Sequence, residues 1–163
     1  FLETVHLVEP PIELIQEVAQ VLYKQPCQPL LVAIKWIHSI ITPDLLPQLI
    51  ETRIVPRLVQ LLYNEESDYP NLHYECLQAL IQFLSVGGAG VVVGHTDPVP
   101  ILCMLLSSTN QNVVRQSLYI LGCLVYEYSP FNMNILASTF DSVIGFVFTL
   151  HSSFSNITFH LFI

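Results

Sequence analysis

Side chains that could bind a metal ion or act as a nucleophile are scattered along this 163-residue chain. The six histidines are His6, His38, His73, His95, His151 and His160, and the four cysteines are Cys27, Cys76, Cys103 and Cys123. No two histidines are four residues apart, so no helix would present a histidine pair to a metal ion. No serine lies in the G-x-S-x-G pattern of a hydrolase nucleophile. The sequence therefore predicts no enzyme activity, no metal site and no other cofactor.

The cysteines show no close pairing, and two of them occupy apolar positions in runs with helical spacing. We interpret all four as reduced core residues of a protein of the cytoplasm and nucleus, in preference to a disulfide framework. The run Gly87-Gly88-Ala89-Gly90 could suggest a phosphate-binding loop, but no Lys-Ser/Thr pair follows it. We expect this run to break the chain before residues 91–93 begin the next structural unit.

The chain is acidic and apolar. Thirteen Asp and Glu against five Lys and Arg give a net charge of −8, which disfavours direct nucleic-acid binding and favours a basic peptide as partner. Hydrophobic residues make up 52% and charged residues only 11%, so we expect some surfaces to be covered by further repeats or a partner. The apolar stretch 140–163 is interrupted by polar residues, which favours a buried helix and an irregular tail over a membrane anchor.

A repeat with a spacing of 44 residues predicts the secondary-structure elements of this chain. Residues 55–62 resemble residues 99–106, more loosely residues 143–150, and more faintly residues 11–18. A helical period of about 40–47 residues indicates an armadillo or HEAT solenoid, an all-α fold whose stacked units present one long binding face. We predict a single array over residues 1–163, with about three to four repeats. The best-defined repeats are 43–88 and 89–130, weaker repeats are 10–42 and 131–150, and an irregular tail covers 151–163.

In the best-defined unit we expect helices over residues 43–53, 55–63 and 74–86. Pro56 and Pro100 occur where a helix would start and where a missing N–H is tolerated. Apolar residues at helical spacing predict the buried faces of the third helices. They are Leu77, Leu80, Ile81 and Leu84 in one unit, and Leu118, Leu121, Leu124 and Val125 in the next. Trp36, spaced with Val32, Ile37 and Ile40, is interpreted as another core residue.

Residues 54–130 resemble the armadillo repeats of the importin-α family. The likeness rests on residues 55–62, 74–80, 91–95, 98–101 and 121–130, in the family's order and spacing. It implies a right-handed superhelical solenoid and an adaptor that binds nuclear-localisation-signal peptides of cargo proteins. The family's basic N-terminal segment, which would bind importin-β, has no counterpart among these residues.

In that family a Trp and, four residues later, an Asn line the peptide groove in successive units. The matching pairs here are Lys35 and Ser39, Gln78 and Gln82, and Tyr119 and Cys123. The resemblance also places Ser85, Gln116 and Glu127 at groove positions. The Trp–Asn signature is lost, so we expect an altered groove, in which Lys35 repels basic ligands. A non-catalytic armadillo scaffold for another protein partner is the alternative interpretation.

Overall fold

The computed structural model describes residues 10–23, 28–64 and 71–128, and within these ranges it contains eight α-helices and no strand. The helices are α1 (Ile12–Tyr23), α2 (Gln28–Ile40), α3 (Leu46–Glu51), α4 (Ile54–Leu61), α5 (Leu72–Gly87), α6 (Ala89–Val93), α7 (Val99–Leu105) and α8 (Gln111–Tyr128). The all-α prediction is confirmed. The predicted repeat 131–150 and tail 151–163 lie outside the described residues.

The helices are arranged as stacked units. The long helices α2, α5 and α8 lie side by side, with α5 in the middle. The helices α1, α4 and α7 each pack against the long helix that follows them, and α1 also contacts α4. The short helices α3 and α6 connect one unit to the next. This is the packing of an armadillo-like solenoid, in which each unit buries its apolar surface against its neighbours.

Prolines mark the starts of several short helices. Pro47 lies in the first turn of α3, Pro56 in that of α4 and Pro100 in that of α7. The N–H groups of a first helical turn have no partner within the helix, so proline loses nothing there. Asp97 precedes α7 and accepts a hydrogen bond from Val99 N at 3.1 Å, which satisfies one of those N–H groups.

The glycine run breaks the chain at a single residue. Helix α5 continues to Gly87 and α6 begins at Ala89, so the run does break the chain, but the next helix begins two residues before the predicted start at residue 91. Only Gly88 leaves the helical conformation, with φ of +74°, a region that glycine adopts without strain. At Gly87 an added Cβ would lie 2.5 Å from Val91 Cγ2 and 2.7 Å from Leu46 Cδ2. This glycine therefore allows α3, α5 and α6 to approach closely.

The core runs through all three units. Leu77, Leu80, Leu84, Leu121 and Leu124 are buried as predicted, while Ile81, Leu118 and Val125 are half-buried. Each fully buried leucine contributes about 1.5–3 kcal/mol through removal of apolar surface from water. Trp36 packs half-buried at the edge of this core, and Ile37 is fully buried. Val32 is 66% exposed, because it faces away from the core.

Candidate peptide-binding groove

The nine residues that the resemblance assigns to a groove lie on the three long helices. Lys35 and Ser39 are on α2, Gln78, Gln82 and Ser85 on α5, and Gln116, Tyr119, Cys123 and Glu127 on α8. Lys35, Ser39, Ser85, Tyr119 and Glu127 are exposed, Gln78, Gln82 and Cys123 are half-buried, and Gln116 is buried. Because α5 packs against both α2 and α8, the side chains that reach the surface lie on neighbouring helices.

Lys35 is held by an ion pair with Glu75. The Lys35 Nζ and Glu75 Oε1 atoms are 3.3 Å apart, and the two side chains are 62% and 15% exposed. Glu75 lies one turn before Gln78 on α5, so the pair links α2 to α5. Sequence analysis missed Glu75; an acid one turn ahead of a groove position was the available signal. The pair partly offsets the Lys35 charge, but it also occupies the acid that could otherwise meet a cationic ligand.

Three polar side chains of the predicted groove, Ser39, Ser85 and Gln82, donate hydrogen bonds to backbone carbonyls. The Ser39 hydroxyl donates to Trp36 O at 2.6 Å and the Ser85 hydroxyl donates to Ile81 O at 2.9 Å. Gln82 Nε2 is 3.5 Å from Ile41 O, just beyond the end of α2, at the outer limit of a hydrogen bond. This leaves the Gln82 oxygen and its second N–H for a ligand, as an amide has two donors and an acceptor with two lone pairs.

Tyr119 and Cys123 occupy the Trp–Asn positions of the third unit. A hydrogen bond that the Tyr119 hydroxyl donates to the Cys123 sulfur raises the pKa of Tyr119, with smaller contributions from the thiolate charge and from burial. Tyr119 is 55% exposed, so it is accessible to a ligand. An aromatic ring of this kind can stack on the aliphatic stem of a lysine or hold its cationic head.

Glu127 is directed toward α6. Its Oε2 atom accepts a hydrogen bond from Ala89 N at 2.6 Å, at the first residue of that helix. An exposed carboxylate in this position satisfies an N–H group that no backbone carbonyl reaches. One oxygen of the acid that the resemblance assigns to the groove therefore has a structural partner.

Two features of α8 were missed by sequence analysis. Arg115, four residues before Tyr119, is exposed on the same side of the helix and adds a second cation beside the predicted groove. The Gln116 side-chain oxygen is buried and has no hydrogen-bond partner. Gln116 thus lies beneath the surface on which the resemblance places it. Arg115 could have been found from its helical spacing to Tyr119, whereas the burial of Gln116 depends on packing between units.

The described residues give no sign of other chemistry. Within residues 10–23, 28–64 and 71–128, no group of three His, Cys, Asp or Glu side chains is placed to hold a metal ion. Over the same ranges no helix is long and apolar enough to cross a membrane. Cys76, Cys103 and Cys123 are free thiols, and burial raises the pKa of Cys76 far above its usual range.

The eight packed helices of the described residues define an armadillo-like helical protein. The chain is 40% identical over 73 residues to importin subunit alpha-8 of Arabidopsis thaliana, covering 45% of this chain and 16% of that protein. It is 37% identical over 76 residues to importin subunit alpha-1b of Oryza sativa subsp. japonica, covering 46% and 14% respectively. The matches therefore span no more than about one sixth of the length of these relatives. No protein-family model matches the chain.

Proposed function

We propose that this chain is an importin-α-like armadillo adaptor, without catalytic activity, that binds lysine-rich signal peptides of cargo proteins for import into the nucleus. The observation that carries the proposal is the packing of α5 against α2 and α8, the three helices that hold the positions predicted for the groove. Similarity to two importin-α subunits supports it. An adaptor of this kind works in the cytoplasm and nucleus, and any contact with importin-β would use a segment other than the one described.

The proposed groove binds more weakly than a Trp–Asn ladder. Tyr119 provides one aromatic surface for a lysine stem, and the amides of Gln78 and Gln82 provide hydrogen bonds to a peptide backbone. Gln78 occupies a position where the family has a stacking Trp, and Cys123 occupies one where the family has the amide of an Asn. Because each stacking contact is worth about 0.5–2 kcal/mol, the affinity should be low and should decrease as salt screens the remaining charge attraction.

Isothermal titration with a lysine-rich signal peptide tests this function. The double variant Gln78→Trp/Cys123→Asn adds a stacking surface on α5 and a backbone hydrogen-bond partner on α8. We expect it to bind roughly 2- to 30-fold more tightly than the unchanged chain. Gln60→Trp, on the exposed side of α4, adds the same aromatic group outside the groove and should give no gain. Absence of binding by both the unchanged chain and the double variant would contradict the proposal.

A scaffold that holds a different protein partner is the second candidate. It is favoured by the two exposed cations Lys35 and Arg115 on the proposed groove face, which oppose a lysine-rich ligand. In that case the same face would bind a segment that is not strongly basic. Titration with a peptide in which every lysine is replaced by glutamine separates the two functions, because the scaffold would bind it at least as well.

A further inference from the structure

A cleft lies between α1 and α3, away from the residues assigned to the groove. It has a volume of about 400 Å³, within the range of about 300–1,000 Å³ that is usual for ligand pockets. Gln16 and Gln20 line it from α1, and Gln48 and Glu51 line it from α3. Ala19, 4% exposed, also lines the cleft, and its small side chain leaves room between the two helices.

The polar groups of the cleft are available for a ligand. Within the part of the chain that the structure describes, Gln16, Gln20, Gln48 and Glu51 make no side-chain hydrogen bond or ion pair. Three carboxamides thus offer both donors and acceptors, and one carboxylate offers a negative charge. Thr52, which also lines the cleft, already donates its hydroxyl to Leu49 O at 2.8 Å.

The spacing of the amides fits an extended peptide. Gln16 and Gln20 are four residues apart on a helix, which separates them by about 6 Å along its axis. An extended chain advances about 6.6 Å for every two residues, and its backbone groups on one edge repeat with that spacing. Both glutamines can therefore hydrogen-bond the same edge of one extended segment, while Glu51 on the opposite wall meets a cationic side chain.

Contacts between α1 and α4 fix one wall of the cleft. Arg57 Nε donates to Leu22 O near the end of α1, and the Arg57 guanidinium lies 5.3 Å from the centre of the Tyr23 ring. The Tyr23 hydroxyl donates to Arg53 O at 3.1 Å. Because these contacts hold α1 in place, less ordering is needed when a ligand enters.

We propose that the α1–α3 cleft is a second peptide-binding site, which takes an extended segment carrying a lysine or arginine. Its charge favours such a segment, since the carboxylate of Glu51 lines the cleft and no cationic side chain of the described residues does. Two arginines lie close in the chain or in space to this wall, but neither lines the cleft: Arg57 is engaged by Leu22 O and by Gln60 Oε1, and Arg53 follows Thr52. This site is separate from the proposed groove, and either can exist without the other.

The test is a nuclear magnetic resonance titration of the 163-residue chain with a capped hexapeptide of alternating alanine and arginine. We expect the side-chain amide signals of Gln16, Gln20 and Gln48 to shift. Glu51→Gln should lower the affinity about fivefold, since it removes the charge that faces the cation. Glu17→Gln removes the same charge from an exposed position outside the lining, and should change the affinity less than about twofold.

Several results would overturn the cleft site. Equal losses of affinity in Glu51→Gln and Glu17→Gln would show that the peptide is attracted by the overall negative charge of the chain and not by the cleft. Chemical-shift changes confined to α5 and α8 would place the peptide in the proposed groove alone. If the signals of the cleft residues broaden with increasing protein concentration in the absence of peptide, a second copy of the chain covers the cleft. The Gln78→Trp/Cys123→Asn variant should leave the cleft shifts unchanged, which separates this site from the proposed function.

Discussion

Glu127 and Ala89 are joined by a hydrogen bond between residues 38 positions apart in sequence. The Glu127 carboxylate near the end of α8 accepts the N–H of the first residue of α6, 2.6 Å away. The beginning and the end of one structural unit are therefore tied together by a side chain that the resemblance assigns to ligand binding.

Replacing Glu127 by alanine should lower the free energy of unfolding by about 1 kcal/mol, the usual loss when a helix N-terminal partner is removed. Glu127→Gln keeps an acceptor oxygen and should cost less. Urea denaturation followed by far-ultraviolet circular dichroism measures the change. Glu17→Ala removes an exposed acid of α1 that has no described partner and serves as the control. A similar loss in both variants would show that the bond to Ala89 contributes nothing.

Replacing Lys35 by glutamine should increase the affinity for a lysine-rich peptide about two- to fivefold. The change removes one cation from the proposed groove face and releases Glu75 to meet a cation of the ligand. Arg53→Asn is the matched control, since it removes an equal charge from the turn between α3 and α4, where the backbone has φ of 56° and asparagine is tolerated. An equal gain in the control would assign the effect to net charge.

Two glycines should respond in opposite directions to alanine. A Cβ at Gly122 meets no atom within 4 Å and the residue is helical, so Gly122→Ala should stabilise the chain by about 0.5–1 kcal/mol. Gly88 has φ of +74°, and a Cβ there would lie 3.1 Å from Glu127 Oε2. Gly88→Ala should therefore destabilise the chain by about 1–2 kcal/mol. Thermal melts of both variants measure these changes, and stabilisation by Gly88→Ala would contradict the described break between α5 and α6.

The cysteines should react with iodoacetamide at different rates, because the thiolate is the reactive form. Cys76 is buried and its pKa is raised, so it should stay unmodified in the folded chain. Burial and the charge of Asp97 raise the pKa of Cys103. Asp97→Asn removes a negative charge, lowers that pKa and should speed modification of Cys103 at a fixed pH. Peptide mass mapping follows each site, with Cys123 as the internal control; an unchanged rate at Cys103 would exclude the influence of Asp97.

The fold was predictable from features that act locally. The 44-residue repeat and prolines such as Pro56 predicted the helices, because a helical period and a helix start depend on neighbouring residues. The exposed positions of Tyr119 and Lys35 followed from the resemblance. The ion pair of Lys35 with Glu75 and the turn of Glu127 toward Ala89 did not, since each joins residues brought together only when units stack. The α1–α3 cleft was missed for the same reason.

The position of α5 determines how stability is distributed among the helices of the described units. This helix contacts α2, α3, α4, α6 and α8, so it belongs to the interfaces on both of its sides. In a row of units that each depend on the next, the middle unit opens only when both of its interfaces are lost. Amide hydrogens of α5 should therefore exchange with solvent more slowly than those of α1, and a disturbance of one interface can reach the other through this helix.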